Sequence, residues 1–241
     1  MIMKHVLTRQ ENDIYFITLN NPEKGNCYDA EMTEEIASAF SHVPSSAKAI
    51  LLRAEGKNFC TGADLNWMKR ACELSAEENL QDMAKIKSMY QQILKCRVPV
   101  ICQVQGQVAG GGMGLVAASD IVVSDQFSQF SLPEKKWGLI PGIITPILKS
   151  KIGVREFEHL STNGDKIDVV EAQKIKLIHY FSDVKNIEKY IGDCFTLARE
   201  GKIQRPVLSN EMNEELEKYL ILSAQKRQSG EFCEKVKRHF S

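Results

Sequence analysis

The stretch that decides the fold of this 241-residue chain reads Gln103-Val104-Gln105-Gly106-Gln107-Val108-Ala109-Gly110-Gly111-Gly112-Met113-Gly114. An apolar strand pattern, residues 100–105, runs into three consecutive glycines, and a small-residue helix pattern, 113–119, follows them. Glycines permit close backbone approach and unusual backbone angles, and the first N–H groups of a helix have no partner within it. Such N–H groups can bind an oxyanion. A plain strand-to-helix turn is the commoner explanation of such a run, so other residues must decide between the two.

A second strand–turn–helix pattern lies earlier in the chain. The strand pattern 49–53 is followed by Gly56-Lys57-Asn58-Phe59-Cys60-Thr61-Gly62-Ala63-Asp64-Leu65-Asn66-Trp67-Met68. Two such turns can each supply one backbone N–H to the same oxygen. A third stretch, Phe130-Ser131-Leu132-Pro133-Glu134-Lys135-Lys136-Trp137, places a lone carboxylate between a strand and a turn.

Hydrophobic residues along the chain alternate between strand and helix periods, which predicts an α/β protein with a helical C-terminal third. Residues 6–8 and 14–19 are expected to form a hairpin. Further strands are expected at 49–53, 100–105, 121–123 and 126–131, and helices at 30–40, 76–96, 113–119, 145–152, 154–161, 169–175, 187–200 and 206–228.

Composition excludes several classes of function. Lysine plus arginine and aspartate plus glutamate both total 31, and a net charge of zero argues against general nucleic-acid binding. No apolar run is long enough to span a membrane, and the first residues lack a secretory signal. The seven cysteines are odd in number and have no spacing typical of a metal site. We therefore expect a cytoplasmic protein with reduced thiols and no bound metal.

The three stretches, in this order and spacing, resemble the crotonase superfamily of enoyl-CoA hydratases and isomerases. Leu19-Asn20-Asn21-Pro22-Glu23-Lys24-Gly25-Asn26 is similar to that family's Asn-x-Pro-x-x-x-Asn loop, and residues 232–238 are similar to its C-terminal Phe-x-x-Lys segment. The resemblance covers nearly the whole chain. It implies a crotonase (ClpP-like) spiral of ββα units over residues 1–190 and a C-terminal helical trimerisation region over residues 191–241.

The resemblance also assigns roles to single residues. The backbone N–H groups of Ala63 and Gly111 bind the thioester carbonyl, and Glu134 moves a proton at carbon with a pKa raised by an apolar pocket. Without the resemblance, Glu134 is more simply an acid at a helix start. Coenzyme A or phosphopantetheine enters as part of the substrate, with no separate cofactor. The residues that the resemblance places against it are Lys24, Ala63, Asp64, Leu65 and Lys237.

Gly114 departs from the standard hydratase, which carries a second glutamate three residues after the middle glycine. One carboxylate suffices where a single acid handles both α-proton transfer and hydroxyl departure. The departure is shared by methylglutaconyl-CoA hydratase-like proteins and by the dehydratases of polyketide β-branching. The first expectation is a hydratase or dehydratase of an enoyl thioester, possibly of 3-methylglutaconyl type, carried on CoA or a carrier protein. The alternatives are a Δ3,Δ2-enoyl-CoA isomerase, a glutaconyl-thioester decarboxylase and a non-catalytic CoA-thioester-binding subunit.

The last predicted helix has an apolar face. Met212, Leu216, Leu220 and Leu222 carry that face, and together with the resemblance they predict contact with a neighbouring subunit. We therefore expect a homotrimer or a hexamer.

Overall fold

The computed structural model describes residues 3–205 and 208–240. Its main sheet has six strands in the order β1-β2-β3-β4-β6-β8. The first two pair antiparallel and the others are parallel. A second, two-stranded parallel sheet joins β5 to β7. The strands are β1 Val6–Glu11, β2 Ile14–Leu19, β3 Ala49–Ala54, β4 Val100–Val104, β5 Gln107–Ala109, β6 Ile121–Asp125, β7 Gln129–Ser131 and β8 Tyr180–Ser182.

The expected hairpin is confirmed, with Val6 opposite Leu19 and Glu11 opposite Ile14. The strands β5 and β8 were not predicted, because runs of three residues carry too little periodicity to distinguish them from loops. The strand expected at 126–131 begins only at Gln129, since Asp125 ends β6 and its carboxylate accepts from the Phe127 N–H and the Ser128 hydroxyl in a turn.

The helices surround the main sheet on both faces. They are α1 Ala30–Ser41, α2 Leu65–Arg70, α3 Ala76–Leu94, α4 Gly111–Ala117, α5 Thr145–Ile152, α6 Val154–Asn163, α7 Val169–Lys174, α8 Val184–Arg199, α9 Asn210–Arg227 and α10 Gly230–His239. Ser75 caps α3 through a reciprocal hydrogen-bond pair with Glu78, a sequence signal that fixes where this long helix starts. The division at residue 190 stays a prediction, and α8 runs across it.

Alternation along the strands divides the core between the two faces. On β3, Ile50 and Leu52 point into the large cluster that α1, α3 and α4 complete. Ala49 and Leu51 point the other way, into a smaller cluster under α8. Both faces of β3 are therefore apolar, as expected for a strand inside a parallel sheet.

The C-terminal helices fold back on their own chain. Leu216 and Leu220 of α9 are buried in the main core, where α9 packs against α3 and α5. The expectation that these two leucines contact a neighbouring subunit is therefore wrong, because the chain's own α3 already covers them. Met212 is partly buried in the same core, whereas Leu222 is exposed. The predicted helix start at Pro206 lies outside the described residues; α9 begins at Asn210, with Ser209 as its cap.

A disulfide joins Cys72, after α2, to Cys233 on α10. The expectation of reduced thiols is wrong for this pair. The two residues lie 161 positions apart, so no sequence spacing could have paired them. Cys27, Cys60, Cys96, Cys102 and Cys194 are free thiols.

Candidate active site

Two glycine-containing turns lie side by side because β3 and β4 are parallel neighbours whose carboxyl ends reach the same edge of the sheet. The turn after β3 bonds directly to β5 and to the loop before it: the Ala109 N–H donates to the Cys60 carbonyl at 3.0 Å, and the Phe59 N–H donates to the Gln105 carbonyl at 2.8 Å. Gly112 is needed where the turns touch, since a Cβ there would lie 2.3 Å from the Cys60 carbonyl oxygen. The sheet topology therefore brings both predicted N–H donors to one place.

The backbone of Tyr28 holds the first of these donors. The Tyr28 N–H donates to the Gly62 carbonyl and the Asp64 N–H donates to the Tyr28 carbonyl, both at 2.9 Å. These bonds lie on either side of Ala63, whose own N–H has no protein acceptor in the described part of the chain. The Gly111 N–H, at the start of α4, likewise donates to no acceptor within residues 3–205 and 208–240. Both N–H groups are thus available to a ligand.

Glu134 lies in the short 3-10 helix Pro133–Trp137 that follows β7. Its Oε1 would be 2.9 Å from a Cβ on Gly110, which also has φ +51°, so glycine is required there for both space and backbone angle. Its Oε2 is buried and makes no hydrogen bond with any described residue. Burial raises the pKa of Glu134 to about 7. At neutral pH this carboxyl is therefore available both as an acid and as a base.

These groups line one cavity of about 200 Å³. Tyr28, Ala63, Gly111 and Glu134 all line it. Most of the rest of its wall is apolar and comes from α2, α3 and the segment 139–144, namely Leu65, Met68, Met83, Ile86, Leu139, Ile140, Ile143 and Ile144. A carboxyl group beside free N–H donors in an apolar cavity can transfer protons next to a carbonyl whose oxygen gains negative charge.

The space at Gly114 is already filled. A Cβ on Gly114 would lie 2.4 Å from Cγ2 of Ile144 and 2.5 Å from the Tyr90 hydroxyl. That hydroxyl donates to the Gly111 carbonyl at 2.7 Å. Where the standard hydratase carries its second glutamate, this chain therefore has a tyrosine from α3 in the volume next to position 114.

Only some of the residues expected to hold the coenzyme line the cavity. Ala63 and Leu65 line the cavity, whereas Lys24, Asp64 and Lys237 do not. Lys24 pairs with Asp64 at 3.4 Å, and Asp64 caps α2 by accepting from the N–H groups of Asn66 and Trp67. Burial acts to raise the pKa of Asp64, but these N–H donors and Lys24 outweigh it and lower the pKa. Asp64 therefore stabilises the turn and the start of α2.

Sequence reasoning missed several residues that line or support the cavity. Tyr28 lines it and Tyr90 supports it, and α9 adds Ser223, Lys226 and Arg227 to its wall. The Arg227 guanidinium is buried, pairs with Asp82 at 2.7 Å and lies over the Trp67 ring. No pattern in the sequence signals these residues, because each reaches the site through long-range packing rather than through a local motif.

The described residues contain neither a metal site nor a membrane-spanning helix. No group of three or more His, Cys, Asp or Glu side chains within 3–205 and 208–240 could hold a metal ion. Over the same residues, no helix has the length and apolarity that a membrane crossing requires.

The chain is similar in sequence to proteins of one known family. The family model described as enoyl-CoA hydratase/isomerase matches residues 9–238. The bacillaene synthase dehydratase PksH of Bacillus subtilis is 29% identical over 182 residues, 73% of this chain and 68% of the relative. The trans-2-decenoyl-[acyl-carrier-protein] isomerase of Streptococcus mutans is 25% identical over 209 residues, 84% of this chain and 79% of the relative.

The fold is also shared with a solved structure. The enoyl-CoA hydratase from Bacillus halodurans superposes with a TM-score of 0.87 at 20% identity, over 98% of this chain and all of that one. The predicted crotonase-type α/β fold is thus confirmed. Because the family model spans nearly the entire chain, this protein belongs to the enoyl-CoA hydratase/isomerase family.

Proposed function

We propose that this enzyme adds water to, or removes water from, an enoyl thioester carried on coenzyme A or on a carrier protein. The observation that carries the proposal is the carboxyl group of Glu134, which is buried in an apolar cavity beside two N–H groups that donate to none of the described residues. Among the described residues, no second carboxylate lines this cavity. One acid must therefore serve every proton transfer.

The proposed dehydration uses Glu134 twice. As a carboxylate it takes the proton from the carbon next to the thioester carbonyl, and the N–H groups of Ala63 and Gly111 stabilise the enolate oxygen. The enolate then collapses, the bond from the β-carbon to its hydroxyl breaks, and Glu134 returns the proton so that water leaves. Hydration is the reverse sequence. Each donor to the enolate oxygen contributes about 3–4 kcal/mol in the best measured cases.

Isomerisation of a Δ3 to a Δ2 enoyl thioester is the second candidate. The same carboxyl would remove a proton at the α-carbon and return it at the γ-carbon, with the same enolate between the two steps. The isomerase of Streptococcus mutans at 25% identity supports this candidate. Incorporation of labelled oxygen from water distinguishes the two reactions, because only hydration adds an oxygen atom from the solvent.

The acyl group and its carrier belong to the proposal as well. A 3-methylglutaconyl-type chain is the first substrate to test. Lys24 and Lys237 are proposed to contact the phosphates of coenzyme A or phosphopantetheine, because both ammonium groups lie on the exposed surface outside the cavity. The proposed location of the reaction is the cytoplasm.

The test is incubation of the purified protein with 3-methylglutaconyl-CoA, crotonyl-CoA and 3-hexenoyl-CoA in ¹⁸O-labelled water, followed by mass spectrometry. Hydration adds one labelled water, isomerisation leaves the mass unchanged while shifting the double bond, and decarboxylation removes CO2. The control is Glu134→Gln, which keeps the shape of the side chain. If no thioester is converted although all bind, the protein is a thioester-binding subunit and the proposal fails.

A further inference from the structure

Tyr28 contacts both turns that carry the available N–H groups. Its backbone bonds to Gly62 and Asp64 on either side of Ala63, each at 2.9 Å. Its side chain reaches the other turn, where a Cβ on Gly111 would lie only 1.7 Å from the Tyr28 hydroxyl oxygen. No residue with a side chain fits at position 111 while the tyrosine is present. The phenol is therefore held directly beside the second donor.

The Tyr28 side chain lies at the boundary between the cavity and the core behind it. The side chain lines the cavity together with Ala63, Gly111 and Glu134, although only 2% of the residue is exposed. Burial is the main cause that raises the pKa of the Tyr28 phenol, and the Glu134 carboxyl adds a smaller effect in the same direction. At neutral pH the group is thus an uncharged donor, as a ligand bearing developing negative charge requires.

The Tyr28 hydroxyl makes no short hydrogen bond with any described residue. Its one hydrogen-bonding neighbour among the described residues is the Tyr90 hydroxyl, at 3.5 Å, which is long for a bond between two hydroxyls. Tyr90 itself donates to the Gly111 carbonyl at 2.7 Å. Tyr90 therefore positions the Gly111 peptide, while Tyr28 keeps a proton that can be donated into the cavity.

We propose that Tyr28 is a catalytic residue, which donates a third hydrogen bond to the thioester oxygen and stabilises the enolate together with Ala63 and Gly111. This inference rests on the proposed function, because it requires that a thioester binds in the cavity. It does not depend on which reaction the enolate then undergoes. A buried hydroxyl that donates to the same oxygen adds stabilisation where charge develops. It also explains why a tyrosine, rather than an aliphatic residue of similar bulk, occupies the space above Gly111.

The test measures the enolate without turnover. Acetoacetyl-CoA loses a proton between its two carbonyls, and the resulting enolate absorbs in the near ultraviolet. Titration of the bound ligand gives the midpoint pH of that ionisation. Tyr28→Phe should raise the midpoint by on the order of one unit, a tenfold change in the ionisation equilibrium. Tyr28→3-fluorotyrosine, which keeps the shape but donates more strongly, should lower it.

On the natural reaction, Tyr28→Phe should reduce kcat by roughly 10- to 100-fold with little change in KM, because two donors remain.

Tyr15→Phe is the matched control, since Tyr15 is a buried tyrosine on β2 that does not line the cavity. It should leave the midpoint unchanged. A lower kcat in Tyr28→Phe with an unmoved midpoint, or the same midpoint in the fluorinated and native proteins, would show that Tyr28 only supports the turns. If wild-type protein does not bind acetoacetyl-CoA, the thioester cavity and the Tyr28 proposal both fail. If it binds and ionises the ligand but converts no enoyl thioester, only the proposed reaction fails.

Discussion

At the scale of single residues, Glu134 is the group on which the proposed chemistry depends. Replacing it with glutamine keeps its size and part of its hydrogen bonding but removes its ability to exchange a proton. We expect Glu134→Gln to lower kcat by roughly 10²- to 10⁴-fold, the usual contribution of general acid–base catalysis. Steady-state kinetics on the converted thioester, with ligand affinity measured separately, gives the result. Full activity in the variant would mean that the carboxyl is structural.

The raised pKa of Glu134 also predicts a pH dependence of stability. Its folded-state pKa, about 7, lies above the ordinary value of 4.5, so the folded state holds this proton more tightly than the unfolded state. Its contribution to stability is fully present below the unfolded value and is lost as pH rises through the folded value. The Tm of wild type relative to Glu134→Gln should therefore fall between about pH 4.5 and pH 7 and level off above that range. Differential scanning fluorimetry across pH measures it. A difference in Tm that does not vary with pH would contradict the raised pKa.

Gly114 provides a third test at this scale. A Cβ there would collide with Ile144 and with the Tyr90 hydroxyl, so Gly114→Glu should destabilise the protein by about 1–3 kcal/mol, as overpacked core substitutions do. It should add little hydration of crotonyl-CoA, because no space exists for the new carboxylate. Denaturant unfolding measures the loss, and Gly114→Ala should cost less stability in an Ile144→Ala background than in the wild-type protein, because one of the two clashing side chains is then shortened. A stable, more active Gly114→Glu protein would contradict this account of the packing.

At the scale of elements, the disulfide between Cys72 and Cys233 ties α10 to the segment after α2. It closes a loop spanning 161 positions, and such cross-links stabilise proteins mainly by restricting the unfolded chain. Cys233→Ser should lower the free energy of unfolding by about 2–4 kcal/mol. Cys96→Ser, at a free thiol, is the matched control and should cost less. Mass spectrometry of the non-reduced protein detects the bond. Equal stability with and without reductant would contradict its stabilising role.

At the scale of the whole molecule, we expect a trimer or a pair of trimers. The chain already covers Leu216 and Leu220 with its own α3, so the subunit contact must use other surfaces of the molecule. Exposed apolar residues such as Leu222, Val154 and Val170 remain outside the core. Light scattering coupled to size-exclusion chromatography at micromolar concentration gives the mass. A monomer mass across that range would rule out stable assembly.

The features of this protein that depend on local pattern can be predicted from its amino-acid sequence. Apolar runs gave the central parallel strands β3 and β4, because buried strands need side chains that are apolar on both faces. Small residues at 62–63 and 110–112 indicated two turns with available N–H groups, and the spacing of these turns indicated the family. Gly114 indicated that a second acid is missing.

How these parts meet depends on contacts between residues that are distant in sequence. Tyr28 and Tyr90 reach Gly111 from 83 and 21 residues away in sequence, and helix periodicity does not distinguish a tyrosine facing a cavity from one in the core. Long-range packing also places α9 against the cavity of its own chain and pairs Cys72 with Cys233. An amphipathic helix needs an apolar partner, and a cysteine needs a nearby thiol. Which surface supplies them is set by how the whole chain packs, since contacts between distant residues leave no periodic signal in either segment.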